Sequence, residues 1–407
     1  MKARPQFPAL VTLLVVLALL ASGPATPALA QKPVKLGVLT PLSPPGDAAA
    51  GQLIVRGAKM AAEDINARGG VLGGRKIELV IEDDSGTPEK GSAGLRKLAT
   101  QDQVAAVVGQ FHSSVTAAVQ VLAEQFQVPL FLTQASAKSL TEKHLTYTFR
   151  THVIDPDRCQ MWTRWAKERG FKRVALITEN TDYGVGLVEE TKKAFAALLP
   201  GAELKTIIFD RAVVDLTPQL LEIKNWKPDV LFNGGIGTPM YLIIKQAHDV
   251  GLHPAVPMLI SYDAPVRPEY WKTLGDKGSG VSFIVYYHPS MKLPPRGDGF
   301  RKRHLEQYKE EPIYGAFNAY SQVSLVADAI NAAKSEKGDD LVKALLNNKF
   351  EGWNATVSFS RGEGPYWQQW TPPMLVVQFT KPEMAFSEAR IIYPPEFKTG
   401  EWMPPKR

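Results

Sequence analysis

With one cysteine, Cys159, in 407 residues, the chain cannot close an intramolecular disulfide. Stability must therefore come from buried apolar surface. No apolar run reaches the roughly 20 residues of a transmembrane helix; the candidate, residues 9–21, is too short. Lysines and arginines form no block. The formal charge of +6, which falls to +4 without Lys2 and Arg4, is too small and scattered to follow a phosphate backbone, so nucleic acid is not an expected partner. Catalytic signatures are missing too. There is no G-x-S-x-G elbow and no Walker A loop, and "GGIGTPM" has only two of the three glycines of a dinucleotide turn. The seven histidines are scattered, without the spacing of a metal pair. These absences disfavour an enzyme and imply neither cofactor nor metal.

What is present begins with a leader. Lys2 and Arg4 precede the apolar run, and Ala28-Leu29-Ala30 ends it in small residues, so 1–30 reads as a secretory signal peptide cleaved near Ala30. The expected location is the periplasm. From "VKLGVLT" onward, short β-branched runs alternate with amphipathic stretches. "KIELVIED", "VAAVVG", "VPLFLT", "RVALIT", "LKTIIF", "DVLFNG" and "VPMLIS" are strand-like, and 53–67, 90–100, 115–126 and 185–197 are helix-like. Aliphatic strands separated by helices predict parallel sheets covered on both faces. A chain this long exceeds one core and should divide in two.

The alternation breaks at "TYTFRTHVIDPDR", "GVSFIVYYHPSMKLPP" and "GPYWQQWTPPMLVVQF". Three crossings predict two α/β lobes built from discontinuous chain: 31–152 with 284–365, and 153–283 with 366–380. The remainder, 381–407, is rich in proline and charge and is expected to drape over the surface. Two such lobes can close like a hinge on a ligand between them.

The loop in "VVGQFHSSVTAAV" carries adjacent hydroxyls, Ser113 and Ser114, between a strand and a helix. Free amides at a helix N-terminus favour an anion there. Ser114 could equally serve as a simple N-cap, contributing about 1 kcal/mol.

The chain resembles periplasmic substrate-binding proteins of branched-chain amino acid ABC transporters, the Leu/Ile/Val type with a type I periplasmic binding protein fold. The resemblance runs through "KLGVLTPLSPPG", "GAKMAAEDINARGGVLGGRKIELVIEDD", "VVGQFHSSVTAAV", "VPLFLTQASA", "TFRT", "NTDYGVGL" and "AHDVGL". It implies two Rossmann-like lobes with parallel-sheet cores joined by three hinge strands, and a ligand held at the carboxyl ends of the strands, as in other open parallel sheets. It implies that Ser113 holds a ligand carboxylate and that Ala135 and Ser136 supply a carbonyl and a hydroxyl. It places Tyr183 over the ligand and Asp263 against its ammonium. The partners it implies are a small amino acid or related carboxylate or amide, and an inner-membrane ABC permease; a sensor of the same fold is the nearest competitor. Two departures point to a reshaped pocket: "SPPGDAAAG" and "NGGIGTP" stand where relatives carry larger side chains. The family's disulfide near the binding loop is also missing, with Ser85 and His112 at its positions. A histidine there is expected to fill the vacated space.

Overall fold

The computed structural model describes Met1 and residues 32–405; the expected leader, 1–30, lies outside the described residues apart from Met1. The body comprises Pro33–Arg407. Its first sheet contains β1 (Val34–Thr40), β2 (Ile77–Asp83), β3 (Val107–Gln110), β4 (Leu130–Leu132) and β5 (Thr148–Arg150), in the order β2-β1-β3-β4-β5. Every pairing is parallel.

Side-chain alternation along β1 sorts the core. Leu36 and Val38 join one apolar cluster, while Leu39 joins another with Leu95, Leu98, Val115 and Val119. The second cluster lies under α2 (Pro88–Thr100) and α3 (Ser113–Phe126). On the first face, α1 (Ala48–Ala67) packs with a helix that returns much later, Tyr314–Ala333.

A short helix, α4 (Ser139–Glu142), precedes β5, and the chain then crosses into α5 (Asp155–Glu168). The second sheet uses β6 (Arg173–Glu179), β7 (Glu203–Phe209), β8 (Val230–Gly234), β9 (Met258–Ile260) and β10 (Val281–Val285), interleaved with α6 (Asp182–Leu198), α7 (Thr217–Trp226), α8 (Thr238–Asp249) and α9 (Glu269–Leu274). After β10 the chain returns to the first lobe for α10 (Pro295–Tyr308), α11 (Tyr314–Ala333), α12 (Gly338–Asn347) and a small ribbon of β11 (Phe350–Glu351) and β12 (Thr356–Val357). It crosses once more into β13 (Leu375–Gln378) and β14 (Arg390–Tyr393). The sheet order is β14-β13-β10-β9-β8-β6-β7.

Its β7-to-β10 part is parallel, as anticipated, but β13 runs antiparallel to β10 and β14 antiparallel to β13. The segment expected to drape over the surface thus supplies a strand. Ile391 and Ile392 are buried, Trp402 packs edge-on to Trp165 and Phe171, and the Met403 backbone exchanges hydrogen bonds with Gln378 at 2.8 and 2.9 Å. Proline and charge obscured a short apolar run able to pair.

Two hinge segments run together: the Arg150 amide donates to the Gln368 carbonyl at 3.1 Å, and the Trp370 amide donates to Arg150's carbonyl at 2.9 Å. Helix α11 is buried nearly all round, which requires its polar side chains to find partners. They splice it to the strand ends: Asn318 Nδ2 donates to the Thr133 carbonyl at 2.7 Å, and Gln322 Nε2 to the Leu132 carbonyl at 3.1 Å.

Gly57 on α1 lets this helix approach closely, because a Cβ there would lie 2.1 Å from the Ala316 carbonyl oxygen. Gly57→Ala is predicted to destabilise the chain by about 1–3 kcal/mol through overpacking, read as a lower thermal midpoint; an unchanged midpoint would show that the helices can separate freely.

Candidate functional site

At the carboxyl ends of the parallel strands, between the lobes, is a small cavity lined from both lobes, by Ser113, Ser114, Gln134 and Ser136 on one side and Glu179, Thr181 and Tyr183 on the other. Helix α3 begins at its edge. His112 occupies the N-cap position without a side-chain cap bond, and Ser113 is already the first helical residue. Ser114 is therefore not the cap. The Thr116 amide is the first to bond within the helix, to the His112 carbonyl, which leaves the earlier amides without an intrahelical acceptor.

Both serines line the cavity. Ser113 Oγ accepts from the Ala137 amide at 3.2 Å, and Ser114 Oγ accepts from the Asp182 amide at 3.1 Å. Each hydroxyl has an oxygen engaged by a protein N–H and keeps a proton to donate. From the opposite lobe, α6 also presents its N-terminus, capped by Thr181 accepting from the Gly184 amide at 3.3 Å. Two positive helix ends meet across one gap.

Below the serines is a buried arginine that sequence reasoning missed. Arg158 donates to Asp155 Oδ1 at 2.6 Å, Ser136 Oγ at 2.9 Å, the Tyr286 hydroxyl at 3.0 Å and His152 Nε2 at 3.3 Å. Burial of Asp155 raises its carboxyl pKa, against the pull of Arg158 and of the Ser136 hydroxyl. Arg158 occupies the apolar stripe of α5, four residues before buried Trp162; a charge at a core position was the readable signal.

Tyr183 lines the cavity with its ring 5.6 Å from the Arg158 guanidinium, and its hydroxyl is 2.7 Å from Ser261 Oγ. Gly184 must be glycine, since a Cβ would sit 1.9 Å from the Glu179 carbonyl oxygen. Glu179 ends β6 and also lines the cavity. Burial pushes its carboxyl up to about 7, opposed by Arg211, the Thr181 hydroxyl and the Ile236 amide, and reinforced by Asp47. Strand-end position marks this residue in the sequence, and it was passed over for the tyrosine four places on.

The structure thus brings Ser113, Ser114, Ser136 and Tyr183 to one cavity. Ala135 and Asp263 do not line it. Ala135 is buried in the apolar cluster under α3, and its carbonyl accepts from Arg150 Nη1 at 3.4 Å. Asp263 lies in a separate small pocket with Val266, Tyr286 and Tyr314, its pKa raised by burial and held back by Arg267. It falls short of the cavity because a tight turn, Ala264–Val266, follows it directly and carries Arg267 to the lobe interface instead. Among the described residues no group of three or more His, Cys, Asp and Glu side chains could hold a metal ion.

The sequence pattern of the family described as periplasmic binding protein matches residues 33–381. The chain belongs to the periplasmic binding protein family. It is a substrate-binding protein of the branched-chain amino acid ABC transporter type, similar to the Leu/Ile/Val-binding protein BraC3 of Rhizobium johnstonii, at 27% identity over 86% of this chain and 94% of that protein. The branched-chain amino acid transporter substrate-binding protein LivJ of Streptococcus pneumoniae, solved with isoleucine, superimposes with a TM-score of 0.77 at 26% identity, covering 89% of this chain and all of that one. A solute-binding protein from R. palustris, solved with benzoate, shares the fold, with a TM-score of 0.75 at 21% identity over 89% and 98% of the two chains. The family is one of solute-binding proteins, which is not an enzyme class. Among the described residues no helix is long and apolar enough to cross a membrane.

The lobes of this periplasmic binding protein meet, and hydrogen bonds from two arginines fasten the seam. Arg211 from the second lobe donates to the Pro45 carbonyl at 3.0 Å and to His112 Nε2 at 2.9 Å. His112 Nε2 also accepts from the Asp47 amide at 3.2 Å, so the ring is neutral; burial and Arg211 lower its pKa. His112 also presses on Gly86, 3.0 Å from where a Cβ would stand. Nearby, Arg267 Nη1 donates to both oxygens of Asp47 at 2.9 Å, and the two side chains are 1% and 4% exposed.

Arg267→Met leaves Asp47 charged and unpaired in the closed form, a cost of about 3–5 kcal/mol that opening to water relieves. The ligand-free variant is predicted to show a larger radius of gyration by X-ray scattering than the wild type; equal radii would deny the pair a part in closure. A second prediction concerns Glu179. The native carboxyl keeps its proton up to about 7, whereas the unfolded chain releases it near 4.5, so this group binds more protons in the folded state and its contribution to stability falls as pH rises between those values. The melting temperature of Glu179→Gln relative to wild type should therefore climb from pH 5 to pH 7.5. A flat difference would contradict the assignment.

Proposed function

We propose that this chain is an exported, periplasmic receptor that captures a small amino acid or related carboxylate between its lobes and delivers it to an inner-membrane ABC permease. The observation that carries this reading is the pair of serine hydroxyls at the start of α3, each with its oxygen engaged and its proton free. Hydroxyl donors beside open helix amides suit a carboxylate. Ser113 and Ser114 hold it, and Ser136, kept in place by Arg158, borders it. Tyr183 closes over the ligand body with Phe111 and Tyr262, and these rings accommodate aliphatic or aromatic ligands alike.

Capture and closure are linked. Ligand that touches both lobes binds the closed form better, so it shifts the population toward it, and the permease then meets both lobes in fixed relation. The Ser114–Asp182 bond joins the lobes at the proposed carboxylate site. Residues 1–30 carry the export signal in this reading.

A thermal-shift screen of L-amino acids, their deaminated analogues and aromatic carboxylates tests the proposal. A ligand at a hundredfold excess over its Kd should add about 2.7 kcal/mol of stability. Ser113→Ala removes one charge-assisted hydrogen bond, about 1.5–3 kcal/mol, and should weaken every carboxylate by about 10- to 100-fold in titration calorimetry. Unchanged affinity would remove the carboxylate from this turn.

A further inference from the structure

Asp263, the acid expected against a ligand ammonium, lies outside the cavity and has no partner elsewhere. It is 2% exposed, and neither carboxyl oxygen makes a hydrogen bond among the described residues. The amides beside it, its own and that of Tyr314, do not reach bonding geometry. Four residues on, Arg267 shows the complementary deficit. Its Nη1 donates to both oxygens of Asp47 at 2.9 Å, while Nε and Nη2, buried, have no partner among the described residues. Buried polar atoms left unpaired are costly, most of all when charged. An acceptor and a donor in that state on one turn call for a physical reason.

Asp263 and Arg267 flank the turn Ala264–Val266, which is tight: the Val266 amide donates to the Asp263 carbonyl at 3.1 Å and the Arg267 amide to the Ala264 carbonyl at 3.0 Å. Among charged groups, Arg267 acts most strongly on the Asp263 carboxyl. Both belong to the second lobe, whereas Asp47 belongs to the first. Parting the lobes therefore removes Asp47 and leaves Asp263 in reach. We propose that Arg267 is a two-position latch, holding Asp47 when the lobes meet and turning to Asp263 when they part, so that opening exchanges one carboxylate for another. This rests on reading the chain as a receptor whose lobes open and close, and it holds whatever solute the cleft takes. The Tyr262 ring, 5.5 Å from the guanidinium and fixed by its hydroxyl accepting from the Gly237 amide at 2.8 Å, gives both positions one floor. Glu269, whose buried Oε1 is also unpartnered, is the rival acceptor on this stretch, and it lies beside Tyr241.

A crystal structure of the exported chain carrying Asp47→Asn, free of solute, tests the second position directly. Asparagine at 47 can still accept from the Ala50 amide and cap α1, but it withdraws the carboxylate from Arg267. The guanidinium is then expected within about 4 Å of the Asp263 carboxyl. A guanidinium against Glu269, in solvent, or still beside residue 47 overturns the proposal.

The equilibrium is read in solution from nitroxides on Lys59→Cys of α1 and Lys192→Cys of α6, exposed positions on the two lobes; Cys159 is buried and stays unlabelled. Double electron–electron resonance on the solute-free chain gives the ratio of parted to meeting lobes. Asp263→Asn takes away the second position and should lower that ratio. The reference background is Asp47→Asn with Arg267→Met, which removes the pair without isolating either charge. The fall should be about 10-fold or more greater with Arg267 and Asp47 in place than in that background, the range of one charged hydrogen bond. Equal falls would make Asp263 an acid that merely disfavours burial. A rise would make it a cap for the first turn of α11 across the lobes. Either result overturns the latch. A single distance in every protein, Arg267→Met included, means that the lobes do not part, and the receptor reading then fails together with the latch.

Discussion

A guanidinium enclosed where water cannot follow demands acceptors, and the closed state of this protein is organised around that demand. Arg267 meets it in part, its Nη1 donating to both oxygens of Asp47 on the facing lobe, while Nε and Nη2 are buried without a partner among the described residues. Desolvating two charges nearly cancels their attraction. The pair therefore adds little net stability to closure and a great deal of specificity, because only one relative placement of the lobes spares either charge from isolation. A nearly balanced opening equilibrium is what a receptor needs, since a modest ligand energy can then tip it. Arg158 imposes the same demand at the hinge, drawing Asp155, Ser136, His152 and Tyr286 into one network. The floor of the cavity inherits its rigidity from that network.

The cavity walls follow from chain topology. Parallel strands place their carboxyl ends on one edge, and each following helix begins there, so α3 and α6 deliver open amides to the same gap. Serine and threonine at those turns add donors without bulk. Glycine at 184 lets the backbone fold tightly enough for Tyr183 to turn inward. His112 lines the cavity as a neutral ring held by the Asp47 amide and Arg211.

Much of this could be read from residue pattern alone. Aliphatic runs at strand length located every parallel strand that matters for the site, and the double serine marked its edge. Four of the six residues singled out meet at one cavity. The failures have physical causes. Ser114 looked like a cap, but the helix starts one residue earlier and the hydroxyl is engaged across the gap. Asp263 looked available, yet a turn that strand periodicity cannot reveal carries it away. Arg158 and Glu179 were overlooked because single charges among apolar neighbours reveal a role only once the partners around them are known. β14 was hidden by the prolines and charges that flank it.

The returning terminus has a consequence for handling the molecule. Without Arg390–Tyr393 alongside it, β13 would become the border of its sheet, with a row of free backbone groups and the apolar side chains Leu375, Val376 and Val377. Bare borders of that kind recruit other chains. The last segment acts as a selvedge, finishing the weave so that it neither frays nor catches on a neighbouring molecule, and a fusion or trimming placed before residue 390 would undo that finish.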